Sequence, residues 1–444
     1  MKISFPHPII ILLGFILLSG LATYFVDSGS FERRLDEVTG REILVPGSFE
    51  KTPDQNVDIF EILLAIPEGI IAGADILVLI LLIGGAFYVI EKTGALQEGI
   101  EALIYTFRKR PSLLLYILSL VFATCGAVFY MSEEIIALVP LLVLLSNRLK
   151  YDVKSIIAMV YGSAIIGASF SPFNPFASLL AMKIAEVDPA SGAIYRMIFL
   201  LIGLLIWVAY HVKFGKLEKG IQQVNTPKPV TISRSHQLIL LITLIGIGLM
   251  IWGVVVKEWD YNQMGVLFFV MGFICGLIGG LGINGTAKSY SAGFSEMIFA
   301  GVIVGLARSV YLVLEKGQII DPLIQALFQP LESLPAQLAA VGIVLSQAII
   351  HIPVPSSSGQ AVLTMPLVIP LTDLLGLSRE IGVLSYQYST TLMDLLTPTN
   401  GTMMAIIAAA GIKFNAWIAY IWKSWFILLG IGLLSVLIGL FWFS

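Results

Sequence analysis

Two apolar runs, residues 152–183 and 380–411, are long enough to cross a membrane, and each is broken in its middle by proline and asparagine. The first contains "SFSPFNPFASLL" (Ser169–Leu180) and the second "LLTPTNGTMMAI" (Leu395–Ile406). A proline inside a helix removes an N–H donor and clashes with the preceding turn. In hydrocarbon no water replaces the lost bonds. Such backbone persists only where it is buried in protein or lines a polar cavity. The two breaks therefore restrict the chain to folds whose membrane helices enclose a polar interior.

The rest of the chain agrees with a membrane setting. Of 444 residues 57% are hydrophobic and 12% charged, which places the chain among polytopic membrane proteins. A span needs about 17–25 apolar residues. Candidates lie at 8–26, 74–92, 112–130, 194–213, 237–256, 263–281, 296–314, 335–352 and 416–443. The first run is read as a retained span, because no small-x-small cleavage site follows it. Residues 27–57 read as an exposed polar loop, and 215–236 as a polar linker between two halves, 1–214 and 237–444. Residues 96–107 and 319–331 are amphipathic and suit the membrane surface. Residues 131–149 and 353–376 are apolar, open on polar clusters and contain central prolines, so each is expected to form a re-entrant hairpin.

The halves match in register. Pro140 and Pro366 are 366 − 140 = 226 apart, and Asn174 and Asn400 give 400 − 174 = 226. Pro172 with Pro398, and Ser171 with Thr397, share that offset. Glu133 and Glu134 fall opposite Gly359 and Gln360, and Ser132 opposite Ser358. Internal repeats of this kind are a property of secondary transporters. Two unrelated proline kinks are the competing reading. A helix broken at mid-membrane exposes bare N–H groups at one end and bare C=O groups at the other. The first end suits a substrate carboxylate, the second a sodium ion. A sodium site would draw on Ser171, Asn174, Thr397 and Asn400. Small polar residues at Ser356–Gln360 would close the pocket.

The "SEE…P" and "SSSGQAVLTMP" segments, followed by "SPFNPF" and "LTPTNGT", resemble the YfcC/DcuC group of the ion-transporter superfamily over nearly the whole chain. That group takes in C4-dicarboxylate anaerobic carriers and candidate basic amino acid antiporters. The resemblance implies an all-α polytopic protein of two repeats, each with a re-entrant hairpin and an unwound helix, working by an elevator movement. It implies ion and substrate contacts at Ser132, Glu133 and Glu134; at Ser171, Phe173 and Asn174; at Ser357, Ser358, Gly359 and Gln360; and at Thr397, Thr399 and Asn400. A homodimer is compatible with this reading and not required by it.

Ionisable residues inside spans are functional candidates. Glu134, aligned with Gln360, would take an ammonium group, a proton or a cation. Asp394, one turn before Thr397, would ligate an ion or pair across the bundle. Arg308 would neutralise a substrate carboxylate or pair with Asp394 or Asp75. Counting spans makes the repeats parallel, whereas the resemblance makes them inverted. The reading is a carrier in the cytoplasmic membrane. It moves a small carboxylate-bearing metabolite, an amino acid foremost, coupled to sodium, protons or exchange. A C4-dicarboxylate or other organic acid is the alternative substrate, and an intramembrane enzyme or channel the remoter one. The cysteines, Cys125 and Cys275, and four scattered histidines suggest no metal centre or cofactor, and the net charge of −3 gives no reason to expect nucleic acid. Lipid and the small substrate are the expected partners.

Overall fold

The computed structural model describes residues 6–36, 41–107, 109–215, 232–257 and 259–443. Most of the expected linker, 216–231, and Arg108 lie outside the described residues. The described chain is almost entirely helical. Six of its helices are long and apolar enough to span a membrane: Ala74–Lys92, Val153–Ile184 counted through its interruption, Ala193–Phe214, Tyr261–Ile278, Gly282–Lys316 and Phe414–Trp442. The runs expected at 8–26 and 335–352 hold the shorter helices Pro8–Ala22 and Ala336–Ile350, and those expected at 112–130 and 237–256 hold Pro111–Phe129 and Arg234–Lys257.

Two expectations need correction. Residues 27–57 are not a plain loop in this mostly helical chain, since Gly29–Ser30 pairs antiparallel with Glu50–Lys51, and Arg33–Asp36 with Arg41–Leu44. Arg33 also bridges to the buried Asp321 at 3.1 Å, pinning this segment to the second half. Second, residues 131–149 and 353–376 are not self-contained hairpins. Glu134–Leu149 and Ser357–Leu374 are continuous helices that carry their prolines inside. The chain turns before them, at 130–133 and 351–356, after Pro111–Phe129 and Ala336–Ile350. Neighbouring groups can satisfy the carbonyls that an interior proline frees, so proline kinks a membrane helix without ending it. The span expected at 296–314 lies within one 35-residue helix, Gly282–Lys316.

One order of elements occurs twice. Ala74–Lys92 is followed by the short Ala95–Thr106, then Pro111–Phe129, Glu134–Leu149, an interrupted helix and Ala193–Phe214. Gly282–Lys316 is followed by the short Ile320–Phe328, then Ala336–Ile350, Ser357–Leu374, an interrupted helix and Phe414–Trp442. The interrupted helices lie in the middle of the molecule: every residue of 155–172 and of 381–392 is buried. Pro111–Phe129 packs closely on Ser163–Phe170. A Cβ on Gly126 would collide with the Ala164 carbonyl, and one on Gly167 with the Ala123 carbonyl, so the two backbones touch through paired glycines.

Candidate substrate cavity

The first interruption begins where Ser163–Phe170 ends and closes at Asn174, which caps the next helical segment, 175–184. Asn174 is fully engaged. Its Oδ1 accepts from the amides of Phe176 (3.0 Å) and Ala177 (2.9 Å), and its Nδ2 donates to the Gly126 carbonyl at 2.8 Å. Ser171 Oγ donates to the Ala127 carbonyl at 2.7 Å. The second interruption runs from Asp394 to Asn400, which caps Gly401–Ala409 through the Met403 amide at 2.7 Å. Thr397 and Thr399 hydroxyls meet at 2.7 Å, and Thr399 donates to the Ile352 carbonyl at 2.5 Å.

The two interruptions adjoin. The Tyr161 hydroxyl donates to the Asp394 carbonyl at 3.2 Å. Gln387 Nε2 donates to the Ser171 carbonyl at 2.6 Å and reaches the Ala168 carbonyl at 3.4 Å. These contacts are reciprocal, for 387 − 161 = 226 and 394 − 168 = 226. Contacts of i with j and of j with i are the pattern of a two-fold relation. The indole N–H groups of Trp425 and Trp417 take the Leu392 and Leu395 carbonyls at 2.8 and 2.9 Å. Carbonyls released by the breaks thus find side-chain donors, as backbone in a membrane must. Tyr161 sits in a π-helical turn, Ala158–Gly162, of a kind common at functional sites.

Beside the breaks lies a cavity of about 920 Å³. Five helical segments present their N-terminal residues to it: Glu134–Leu149 at Ser132–Glu134, 175–184 at Phe176, Tyr261–Ile278 at Asp260 and Tyr261, Ser357–Leu374 at Ser356–Gly359, and Gly401–Ala409 at Asn400–Thr402. N-terminal N–H groups favour negative charge. At the first of these ends the protein supplies that charge itself. The Glu134 carboxylate accepts from the Ser132 amide at 3.2 Å, and the Ser132 hydroxyl donates to Glu133 at 2.5 Å. At the start of Ser357–Leu374 the cavity-lining residues, Ser356–Gly359, are neutral. The first main-chain bond into this helix is Gln360 N–H to the Ser356 carbonyl, so the Ser357 and Ser358 amides precede it.

The expected site residues divide into two groups. Ser132, Glu133, Glu134, Ser357, Ser358, Gly359, Asp394, Thr399 and Asn400 line the cavity. Ser171, Phe173, Asn174, Gln360 and Thr397 do not. The sodium expectation at Ser171, Asn174, Thr397 and Asn400 is therefore split: two hydroxyls and one amide are absent from the wall and tied to neighbouring groups. Sequence reasoning missed Tyr130, Tyr161, Tyr261, Tyr311 and Asp260, all of which line the cavity. Tyr130 donates to Asp394 Oδ2 at 2.6 Å and meets Ser357 Oγ at 2.7 Å, although its backbone sits in the left-handed region at φ 58°. Arg308 also lines the cavity; it lies 3.7 Å from Asp75 and donates to the Ala72 carbonyl. It does not reach Asp394 within bonding distance. The larger miss is His351, fully buried between Gln360 and Asp394.

The chain matches the family model described as C4-dicarboxylate anaerobic carrier, DcuC, over residues 5–441. It is 29% identical to an Escherichia coli K12 protein named "Putative basic amino acid antiporter YfcC", covering 94% of this chain and 92% of the other. It is also 29% identical to an uncharacterized Haemophilus influenzae protein, covering 91% and 83%. Among solved structures, the Alcanivorax borkumensis YdaH transporter aligns with a TM-score of 0.44 and 15% identity, covering 97% of this chain and 98% of that one. Neisseria gonorrhoeae MtrF, described as illuminating a class of antimetabolite efflux pumps, aligns with a TM-score of 0.45 and 16% identity, covering 99% and 96%.

Proposed function

Because the chain belongs to the DcuC, or C4-dicarboxylate anaerobic carrier, family, we propose that it is a secondary carrier for a small metabolite bearing both an ammonium and a carboxylate group, an amino acid. One observation carries this reading. Among the described residues, four carboxyl groups, Glu133, Glu134, Asp260 and Asp394, line the cavity, and the one cationic side chain on its wall, Arg308, is already close to Asp75. A dianion would meet an acidic chamber there, whereas an ammonium group finds Glu133 and Glu134. The neutral helix start at Ser357–Gly359 then receives the substrate carboxylate through amides and hydroxyls.

The E. coli relative's name points to basic amino acids, and the excess of acid on the wall agrees with a second positive group on the substrate. The recurring element order and the reciprocal contacts across the breaks favour two repeats related by a two-fold axis. In that arrangement the turns at 130–133 and 351–356 would act as paired hairpin tips. A domain carrying these tips and the breaks, sliding against the remainder, would give alternating access across the cytoplasmic membrane.

The test is uptake into proteoliposomes of labelled lysine, arginine, a neutral amino acid and succinate, with and without sodium and pH gradients. Saturable uptake of the amino acids, cationic ones foremost, is the expected outcome. Succinate uptake that outruns every amino acid would overturn the proposal and return the chain to dicarboxylates.

A further inference from the structure

We infer that His351 and Asp394 together hold one exchangeable proton and are the proton-binding site of this carrier. The inference rests on the carrier reading above, but its argument is one of hydrogen-bond direction.

Gln360 Nε2 lies 2.8 Å from the Gln347 main-chain oxygen and 2.6 Å from Gln347 Oε1. A carbonyl can only accept, so the amide nitrogen of Gln360 must face it. Gln360 Oε1 therefore faces His351 Nδ1, at 2.9 Å, and Nδ1 must carry a hydrogen. The other ring nitrogen, Nε2, lies 2.8 Å from Asp394 Oδ1. Asn400 is fixed in the same way. Its Oδ1 accepts from the Met403 amide, so its Nδ2 must be the atom 2.5 Å from Asp394 Oδ1. Tyr130 donates to Asp394 Oδ2.

With Nδ1 protonated, a neutral histidine would point a bare Nε2 lone pair at a carboxylate oxygen. Two such acceptors 2.8 Å apart repel. The contact requires one further proton, giving imidazolium with carboxylate or imidazole with carboxylic acid. His351 is fully enclosed, whereas Asp394 lies on the cavity wall, so the proton has an exit. The ionisable groups around the pair are Tyr130 and Glu133 on the turn 130–133, Glu134 beyond it, Tyr161 from the π-turn, and Arg308 across the cavity. None of them reaches His351 with a hydrogen bond among the described contacts.

Loss of the proton breaks the His351–Asp394 contact. That contact joins the end of Ala336–Ile350, the start of Ser357–Leu374, the second break and, through Tyr130, the first turn. The freed Asp394 carboxylate can accept a substrate ammonium in place of the proton. Proton and cationic substrate then compete for one carboxylate, and binding of one releases the other.

Two measurements test this on the full chain. In proteoliposomes, an interior more acidic than the exterior should stimulate lysine uptake several-fold. In His351→Gln and Asp394→Asn the ratio of uptake with the gradient to uptake without it should fall to about one. A ratio equal to wild type in both variants overturns the inference. The second measurement is nitrogen NMR of the histidines in the purified protein without substrate, the His351 signals identified by their loss in His351→Gln. A protonated Nδ1, with a hydrogen-bonded proton between Nε2 and Asp394, is expected. A bare Nδ1 overturns the inference even if the variants are inactive. If wild type moves no amino acid, the substrate reading fails, and the NMR measurement still decides the proton site.

Discussion

Asn174 and Asn400 occupy equivalent places in the sequence and different places in the chemistry. Asn174 satisfies two amides and one carbonyl and faces no cavity. Replacing it with alanine removes a cap and leaves buried groups unpaired, a loss of about 2–4 kcal/mol. Asn174→Ala should therefore lower the thermal midpoint in detergent, and the protein that remains folded should still transport. Asn400 ties the cavity-lining Asp394 to its helix cap, so Asn400→Ala should cost transport in the folded fraction as well. Glu134→Gln removes one charge from the cavity wall, where the proposed carrier would meet the substrate ammonium. Its KM for lysine should rise about tenfold, equivalent to about 1.4 kcal/mol, with less effect on a neutral amino acid. The sequence disclosed Glu134 and Asp394 because charge is conspicuous among apolar residues. It hid His351 and Tyr130, whose meaning depends on partners nine or more positions away and on hydrogen-bond direction, which no spacing rule encodes.

At the scale of elements, the breaks were legible because proline and asparagine mark them in the one-dimensional pattern. The turns were displaced from their expected places. Pro140, Pro366 and Pro370 lie inside helices that continue past them, and the polar clusters before these helices proved to be the turns themselves. Arg379–Met393, the first part of the run expected at 380–411, is deeply buried although many of its side chains are polar. Its Thr390 and Thr391 hydroxyls return to carbonyls four residues back, at 2.9 and 2.6 Å, which makes a polar helix tolerable in the core. Close packing of Pro111–Phe129 on Ser163–Phe170 gives an element-scale test. Gly126→Ala or Gly167→Ala must push two backbones apart, at a cost of about 1–3 kcal/mol. Both should lower the thermal midpoint, and the double variant should lose less than the sum, because one separation relieves both collisions.

For the molecule as a whole, the membrane class followed from composition, and the matched register of the two breaks pointed to their meeting. The strands within 27–57 and their anchor on Asp321 did not, since they join residues 288 positions apart. Arg308, on the cavity wall and 3.7 Å from Asp75, separates the two substrate readings. If a substrate carboxylate required it, Arg308→Met would abolish transport of every anionic substrate. The acidic wall predicts instead that Arg308→Met retains lysine uptake, with an apparent affinity equal to or higher than wild type, measured in the same proteoliposomes. Tyr130 gives the closing consequence. A bulky side chain in left-handed backbone costs about 1–2 kcal/mol, and here its bonds to Asp394 and Ser357 offset that cost. If the Tyr130 bonds to Asp394 and Ser357 are given up in the transport cycle proposed above, that cost is no longer offset and the turn is free to relax.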